Sequence, residues 1–296
     1  MRIVVTGKTG QVVQALRAAG ETAGAELVCI GRPEIDLSQP LTLEAPIRAL
    51  RPDVIVSVAA YTAVDKAEDE AQLAQVVNGD APGALARIAA ERNIPILHLS
   101  TDYVFPGDKA GVYVETDATG PLNVYGRTKL SGEQQVARAT ANHVILRTSW
   151  VYAPYGRNFV TTMLGLADTL DEVRVVADQQ GCPTYAPEIA NALLVVARRV
   201  VDDGSPELRG VFHLTGQGET SWASFAEAIF AGSVARGGKA VTVHPIASAD
   251  YPAAARRPTN SRMSGEKLSK IYDLRLNPWH LSLDDCLTRL IGLPRG

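Results

Sequence analysis

Five short apolar runs, each followed by a turn and a helical pattern, constrain the fold of this 296-residue chain more than any other feature. The runs occupy residues 2–6, 27–30, 53–58, 94–99 and 143–147. Apolar runs of this length are typical of parallel strands that are buried on both faces. Strands that alternate with helices form a parallel sheet with right-handed crossovers. The pattern therefore predicts an α/β fold, built on a Rossmann-like, doubly wound parallel sheet.

The first turn of this pattern is rich in glycine. Gly7-Lys8-Thr9-Gly10 follows the first run, and a helical segment begins at Gln11. Gly7 and Gly10 would let the backbone approach a dinucleotide pyrophosphate at the helix N-terminus. The alternative is an ordinary turn that needs glycine for its dihedral angles. Val13 replaces a third glycine, which predicts a displaced helix or smaller side chains on its neighbours.

The end of the second run bears on the choice of cofactor. At this point an acidic residue binds the ribose hydroxyls of NAD, whereas an arginine accommodates the 2′-phosphate of NADP. Arg32 stands here, and Lys8 lies in the first turn, so NADPH is favoured. Glu34 and Asp36 follow closely, which keeps NADH possible, and Arg32 could equally be a solvated surface residue.

A Tyr-x-x-x-Lys pair, Tyr125 and Lys129, points to the chemistry. Residues four apart on a helix share a face, and an adjacent ammonium is expected to lower the pKa of the phenol. Such a tyrosine could protonate an alkoxide as a carbonyl is reduced. The spacing alone is common on helix surfaces, but Ser100-Thr101-Asp102 follows the fourth run. Ligands of parallel sheets bind beyond the carboxyl ends of the strands, so these residues should meet there.

Composition narrows the class of protein. A formal net charge of −3 gives no reason to expect nucleic acid or an anionic membrane as a partner. Cys29, Cys182 and Cys286 are unpatterned, which suits a reducing cytoplasm and argues against a disulfide framework or a metal site. There is no apolar leader and no apolar stretch of about 18 residues. We therefore expect a soluble, cytoplasmic protein without a metal.

The alternation of strand and helix loosens after Trp150. Residues 210–214 could return to the sheet as a further strand, while residues 244–258, rich in Ala and Pro, are expected to form a loop over the substrate. The predicted organisation is an NAD(P)-binding domain of residues 1–150 and 185–230. A smaller, discontinuous C-terminal substrate-binding lobe would comprise residues 151–184 and 231–296.

Over nearly its whole length the chain resembles the extended short-chain dehydrogenase/reductases, in particular the reductases of nucleotide-linked keto-sugars. The resemblance is carried by long matched segments rather than by single glycines. These are residues 7–12, 51–56, 62–68, 100–107, 121–129 and 147–152, with Arg257-Pro258 and residues 260–262 near the carboxyl end.

The resemblance implies an activity and assigns roles to residues. The enzyme would use NADPH to reduce the 4-keto group of dTDP-4-dehydro-L-rhamnose, giving dTDP-L-rhamnose. Tyr125 would donate the proton, Lys129 would lower the pKa of Tyr125 and bind the nicotinamide ribose, and Thr101 would place its hydroxyl on the carbonyl oxygen. Asp102 and Trp150 would bind the sugar, and Arg257 would offer a bidentate fork to the diphosphate.

The same resemblance implies the residues of the cofactor groove. Gly10, Gln11 and Val12 match the phosphate-binding turn, Asp36 and Leu37 match contacts on the adenine side, and Ala60, Tyr61, Thr62 and Leu99 match the remainder. Alternatives stay open at several positions. Trp150 could be a core aromatic and Asp102 a turn residue or cap, while Arg257 could be a surface charge. His98, inside an apolar run, is interpreted as structural.

Some members of the family form dimers around Mg²⁺ held by glutamates, one of which lies early in the first helix. Here that helix reads Gln14-Ala15-Leu16, so we expect a monomer or weak homodimer without a bridging metal.

Two rival functions remain: a reductase or epimerase of another nucleotide-linked keto-sugar, and a non-catalytic regulatory subunit. An epimerase would consume no net NADPH. A regulatory subunit would be favoured by loss of Tyr125 or Lys129, and both are present.

Overall fold

Six parallel strands form the central sheet in a computed structural model, which describes residues 1–293 apart from the side chains of Thr22 and Ala23. The strands are β1 (Arg2–Thr6), β2 (Glu26–Ile30), β3 (Val54–Ser57), β4 (Ile96–Thr101), β5 (His143–Thr148) and β10 (Gly210–His213). Their spatial order is β2-β1-β3-β4-β5-β10, and every pairing is parallel. The predicted parallel sheet is confirmed, including the returning strand. β4 begins after Pro95, which lacks an N–H for the ladder, and extends through Thr101.

Helices cover both faces of this sheet. α1 (Gln11–Ala23) and α8 (Ala186–Asp202) lie on one face, and α2 (Glu44–Ala49), α5 (Ala81–Glu91) and α6 (Val124–Ala139) lie on the other. Ile3 and Val5 of β1 belong to the first core cluster, and Val4 belongs to the second. Successive strand residues point to opposite faces, so a strand covered on both faces must be apolar throughout. The predicted doubly wound, Rossmann-like architecture is confirmed.

The sheet reverses its winding between β1 and β3. The chain passes from β1 through α1 to the edge strand β2, then crosses back to β3 and continues through β4 and β5. Between β3 and α5 it forms α3 (Lys66–Asp69), α4 (Ala71–Gln75) and a π-helical turn (Val76–Asp80). Doubly wound sheets bind ligands in the crevice at such a reversal.

A third cluster of buried residues lies outside the sheet. It joins α7 (Phe159–Ala167), β7 (Glu172–Val176), α9 (Trp222–Val234), β12 (Thr242–Ile246) and α11 (Trp279–Ile291) around Tyr152 and Phe225. Two short pairs border it: β6 (Val151–Tyr152) with β9 (Thr184–Tyr185), and β8 (Gln180–Gly181) with β11 (Thr220–Ser221). α10 (Glu266–Tyr272) packs on the first core through Leu268 and Tyr272. The division into two domains stays a prediction.

The segment 244–258 is not entirely the loop that the sequence predicts. β12 includes His244, Pro245 and Ile246, and it pairs in parallel with β7. The pairing supplies partners for the backbone groups of β7, which would otherwise remain an unpaired edge. The following residues, 247–258, carry only a 3₁₀ turn (Ser248–Asp250) as regular structure. We call residues 247–258 the strap. Within residues 1–293, no helix combines the length and apolar character needed to cross a membrane.

Candidate active site

The glycine turn after β1 has the geometry of an anion-binding turn. Gly7 has φ of +107°, and a Cβ there would lie 3.2 Å from Val13 Cγ2 and 3.3 Å from Ala59 Cβ. Gly10 precedes α1, no described side chain caps that helix, and a Cβ on Gly10 would meet nothing within 4 Å. The first N–H groups of α1 are therefore open to an anion. The missing third glycine is explained as well, since Gly7 and Ala59 leave the space that Val13 occupies.

The loop after β3 is held in place by Asn78, a residue that the sequence interpretation missed. The Tyr61 N–H donates to Asn78 Oδ1 at 2.8 Å, and Asn78 Nδ2 donates to the Tyr61 carbonyl at 3.0 Å and to Thr128 Oγ1 at 3.1 Å. Asn78 is fully buried in the π-helical turn. It thereby fixes Ala60, Tyr61 and Thr62 against α6. In the sequence, Asn78-Gly79-Asp80 indicates only a break in a helical segment, and the burial of the amide becomes visible only in the structure.

The loop after β2 brings together an exposed cation and a cation held in an ion pair. Arg32 is exposed, while Lys8 Nζ donates to the Arg32 carbonyl at 3.0 Å and forms an ion pair with Glu34. Asp36 accepts hydrogen bonds from the Ser38 N–H and hydroxyl, which lower the pKa of its carboxyl. Leu37 packs beside the second core cluster. The predicted residues on the adenine side therefore share one loop, and Arg32 is its exposed cation.

Tyr125, Thr101 and Asp102 come together where β4 ends and α6 begins. Asn123 caps α6 by accepting the Gly126 N–H at 2.8 Å. The Thr101 hydroxyl donates to Asp102 Oδ1 at 2.8 Å and also lies within hydrogen-bonding reach of the Tyr125 hydroxyl. The rings of Tyr103 and Tyr125 meet edge to face, with centroids 5.8 Å apart. The hydroxyl pair predicted from sequence is thus assembled.

The expected lowering of the Tyr125 pKa is wrong for this structure. Burial raises the pKa of Tyr125 to about 12, against a smaller lowering by the Thr101 hydroxyl. Lys129 is 2 % exposed, its Nζ donates to the Leu99 carbonyl at 2.7 Å, and burial lowers its pKa to about 8. Desolvation outweighs the attraction between neighbouring groups here. At neutral pH Tyr125 is therefore protonated and Lys129 is largely charged.

Asp102 is a buried carboxyl at the same edge of the sheet. It is 2 % exposed, and burial raises its pKa to about 6, although the nearby Ser261 hydroxyl and the Thr101 hydroxyl, which donates to Oδ1, oppose the rise. Ser261 belongs to the segment 260–262, one of those that carry the resemblance to the reductases. The carboxyl is therefore more than a surface cap.

A cleft of about 680 Å³ is lined in part by Arg257, which lies within hydrogen-bonding reach of Tyr103, the residue whose ring meets that of Tyr125. Its walls carry the aromatic rings of Phe159, Trp222 and Tyr251 and three cations, Arg174, Arg256 and Arg257. Trp150 stacks on Trp222 with centroids 3.5 Å apart, and a Cβ on Gly181 would lie 2.4 Å from the Trp150 ring. Trp150 thus supports Trp222, and Trp222 is the ring that lines the cleft.

The strap closes one side of the cleft and is tied to the sheet-bearing part of the molecule. Arg257 Nη2 donates to Asp65 Oδ2 at 2.6 Å, and the Ala255 N–H donates to Asp65 Oδ1 at 3.0 Å. Asn123 Nδ2 donates to the Arg256 carbonyl at 2.8 Å. Arg257 therefore lines the cleft while donating to a carboxylate partner, and its role toward a diphosphate stays a prediction.

Seven other lining residues belong to the segment 244–258, which the sequence predicts to cover the substrate: Ser248, Ala249, Tyr251, Ala253, Ala254, Ala255 and Arg256. The remainder could not be found from the sequence, because they are distributed over a hundred positions without a shared motif. They are Phe159, Met163, Arg174, Val175, Val176, Gln179, Trp222 and Thr259. In the part of the chain that the structure describes, no three His, Cys, Asp or Glu side chains group in a way that could hold a metal ion.

Comparison with known proteins identifies relatives over the full length of the chain. The RmlD substrate binding domain family matches residues 1–291. A dTDP-4-dehydrorhamnose reductase of Sinorhizobium fredii is 52 % identical over 95 % of both chains, and one of Burkholderia thailandensis is 42 % identical over 99 % of this chain and 100 % of that protein. The structure of a dTDP-4-dehydrorhamnose reductase of Bacillus anthracis in complex with NADP has a TM-score of 0.90. It is 31 % identical and covers 97 % of this chain and 98 % of that one.

Proposed function

The chain belongs to the RmlD family of dTDP-4-dehydrorhamnose reductases, and we propose that it reduces the 4-keto group of dTDP-4-dehydro-L-rhamnose to give dTDP-L-rhamnose. It is an NAD(P)H-dependent oxidoreductase, for which we propose NADPH as the preferred cofactor. One observation carries the proposal. The Tyr125 and Thr101 hydroxyls lie within reach of one another at the carboxyl end of β4, and the adjacent Tyr103 contacts Arg257 of the arginine-lined cleft.

The residues around the glycine turn fit the cofactor. The open N–H groups at the start of α1 suit the pyrophosphate, and Gly10 leaves room for it. The loop of Ala60, Tyr61 and Thr62 would line the groove, and Arg32 would meet the 2′-phosphate. When bound, NADPH supplies the hydride that adds to the keto carbon.

The protein itself supplies the proton that completes the reduction. The pKa of Tyr125, about 12, leaves the phenol protonated at neutral pH and still more acidic than the alcohol that forms when the alkoxide left by hydride addition takes up a proton. We infer that Tyr125 donates its proton to that oxygen while the Thr101 hydroxyl, turned from Asp102 toward the substrate, donates a hydrogen bond that holds the oxygen in place. The Lys129 ammonium, one helical turn along, would stabilise the phenolate that remains.

The cleft suits a nucleotide sugar. Arg174, Arg256 and Arg257 provide positive charge for a diphosphate, and Trp222 and Phe159 provide flat apolar surface for a base or sugar. Asp102 and Ser261 lie closest to Thr101 and would bind sugar hydroxyls. We place the sugar toward Tyr125 and the diphosphate toward the strap.

The test is NADPH oxidation with dTDP-4-dehydro-L-rhamnose, followed by identification of the product. We expect one NADPH consumed for each dTDP-L-rhamnose formed. A change of sugar stereochemistry without net oxidation would mean an epimerase. NADPH binding without turnover of this or other nucleotide-linked keto-sugars would mean a regulatory subunit.

Tyr125→Phe tests the assignment of the proton donor. Because only the phenolic proton is removed, turnover should fall by on the order of 10²-fold or more while NADPH affinity stays the same. Tyr103→Phe is the matched control, since it removes the hydroxyl of the adjacent ring, whose partner is Arg257. Its turnover should fall by less than about tenfold. An unchanged rate for Tyr125→Phe would remove Tyr125 from the mechanism.

A further inference from the structure

His98, a buried residue of the central strand β4, lies within hydrogen-bonding distance of the Lys129 side chain. It is 1 % exposed in β4, and its Nε2 lies 3.4 Å from Lys129 Nζ. Its other ring nitrogen, Nδ1, lies 3.2 Å from Ser57 Oγ on β3. The imidazole therefore bridges a neighbouring strand and the helix that carries Tyr125.

The hydrogen-bond partners of the two ring nitrogens determine the tautomer of this imidazole. A lysine ammonium only donates hydrogen bonds, so Nε2 must be the acceptor and Nδ1 must carry the proton. Burial and the Lys129 charge both keep the pKa of His98 well below its usual value, which leaves the ring neutral. Nδ1–H then donates to Ser57 Oγ, and both ring nitrogens are satisfied.

The Lys129 ammonium has hydrogen-bond acceptors for two of its three N–H donors. Of its three N–H groups, one reaches the Leu99 carbonyl and a second reaches His98 Nε2. Glu133, one turn further along α6, accepts Arg147 Nε and Nη2 at 2.9 and 2.7 Å, one on each carboxylate oxygen. Glu133 therefore acts on Lys129 through its charge, which raises the pKa of Lys129. The third N–H remains for the groups that react.

We propose that His98 is a positioning residue for the reduction, whose neutral Nε2 holds the Lys129 ammonium with its third N–H directed toward the site. The role of Lys129 in this inference rests on the proposed function. The charged and titratable groups that bear on Lys129 are Glu133 on α6, His98 on β4, and Arg147 on β5 through Glu133, while Tyr125 lies one turn earlier on α6. Glu133 is held by Arg147, and the Leu99 acceptor is a backbone carbonyl, so His98 is the side-chain acceptor that a substitution can remove.

Loss of the His98 acceptor should change the pH dependence of activity. An acceptor favours the charged form of an ammonium, so losing it lowers the pKa of Lys129 from about 8. The alkaline limit of activity should then move to lower pH. A purely structural role would change stability or overall rate without moving this limit.

Two substitutions at one position separate these roles. His98→Gln places an amide oxygen near the position of Nε2 and keeps an acceptor for Lys129. His98→Asn reaches only the position of Nδ1 and leaves Lys129 without that acceptor. We would measure kcat/KM against pH, and the pH dependence of NADPH affinity by fluorescence. The alkaline limit should fall by about one pH unit in His98→Asn and stay near that of the unsubstituted protein in His98→Gln.

Unshifted profiles in both variants would overturn the inference, and so would equal shifts in both. If the unsubstituted protein turns over no keto-sugar, the proposed function fails, and NADPH affinity in the same three proteins still decides the role of His98. If His98→Asn does not fold, Ser57→Ala removes only the partner of Nδ1. It should move the limit in the same direction by a smaller amount, and no movement would overturn the inference.

Discussion

At the scale of single residues, burial sets the charge state of the groups at the carboxyl edge of the sheet. Asp102 illustrates this, since two hydroxyls stabilise its carboxylate and its pKa still rises from 3.8 to about 6. Between these two pKa values, the folded protein therefore holds a proton on Asp102 that the unfolded chain has released. Its contribution to stability is present below about pH 4 and is lost as the pH rises through about 6.

Asp102→Asn should remove this pH dependence. The difference in free energy of unfolding between Asp102→Asn and the unsubstituted protein should increase in favour of the variant between about pH 4 and pH 7. The expected increase is up to about 3 kcal/mol, since one pKa unit corresponds to about 1.4 kcal/mol. Urea denaturation across this range measures it. The exposed Asp168→Asn should show no such trend, and a constant difference for Asp102→Asn would contradict the prediction.

Arg32→Ala tests the cofactor preference. If the exposed guanidinium meets the 2′-phosphate, KM for NADPH should rise by about tenfold or more, as expected for one lost charge-assisted hydrogen bond. KM for NADH should change by less than about twofold, since NADH lacks that phosphate. Arg17→Ala, on the exposed side of α1, is the control for net charge. Equal effects on the two cofactors would place Arg32 elsewhere.

At the scale of elements, the position of α6 decides where Tyr125 lies. The helix begins against the backbone of Tyr103, and a Cβ on Gly126 would lie 2.3 Å from the Tyr103 carbonyl oxygen. A Cβ on Gly132 would lie 2.2 Å from the Asn78 carbonyl oxygen. Glycine is therefore needed twice on α6 for close approach, and its cost in helix propensity is offset by packing.

Gly126→Ala should move α6 and with it Tyr125. Backbone cannot yield as a flexible side chain can, so we expect a loss of about 1–3 kcal/mol in the free energy of unfolding and a lower kcat. Gly165→Ala in α7 is the matched control, because a Cβ there meets nothing within 4 Å. That change should stabilise the protein by about 0.5–1 kcal/mol. Wild-type stability and kcat in Gly126→Ala would show that the contact can relax.

At the scale of the whole molecule, the strap connects the part that carries the third core cluster to the sheet. Asp65, at the start of α3, accepts hydrogen bonds from both Arg257 and Ala255. The strap and α3 are separated by nearly two hundred residues in sequence, so this connection exists only in the folded chain. It shapes the wall of the cleft where we place the diphosphate.

Asp65→Asn should loosen the strap. Because the Asp65–Arg257 pair is partly exposed, with side chains 48 % and 22 % accessible, its contribution is modest, about 1 kcal/mol. KM for the nucleotide sugar should rise by about three- to fivefold, while NADPH affinity stays the same. The neighbouring Asp69→Asn, on the exposed side of α3, should change neither. An equal loss of NADPH affinity in Asp65→Asn would show that the carboxylate supports the whole site.

The strands, the glycine turn and the Tyr125–Lys129 pair could be predicted because each depends on local sequence. A strand covered on both faces needs an apolar run, a turn with positive φ at Gly7 needs glycine, and a helix brings positions i and i+4 to one face. The resemblance to reductases added the roles of Thr101 and Asp102. The structure brings these residues together as expected.

The partners of these residues could not be predicted in the same way. Asn78, His98 and the cleft-lining Trp222 lie in unremarkable helical or apolar segments. Residues 244–246 belong to β12 rather than to the predicted loop because their pairing with β7 joins distant parts of the chain. Local sequence thus determined the order of the elements and the chemistry of the reacting side chains. The tertiary structure decided their surroundings: the burial that raises the pKa of Tyr125, the acceptors of Lys129 and the closure of the cleft by the strap. Desolvation and hydrogen bonding depend on which groups meet, and groups distant in sequence meet only when the chain folds.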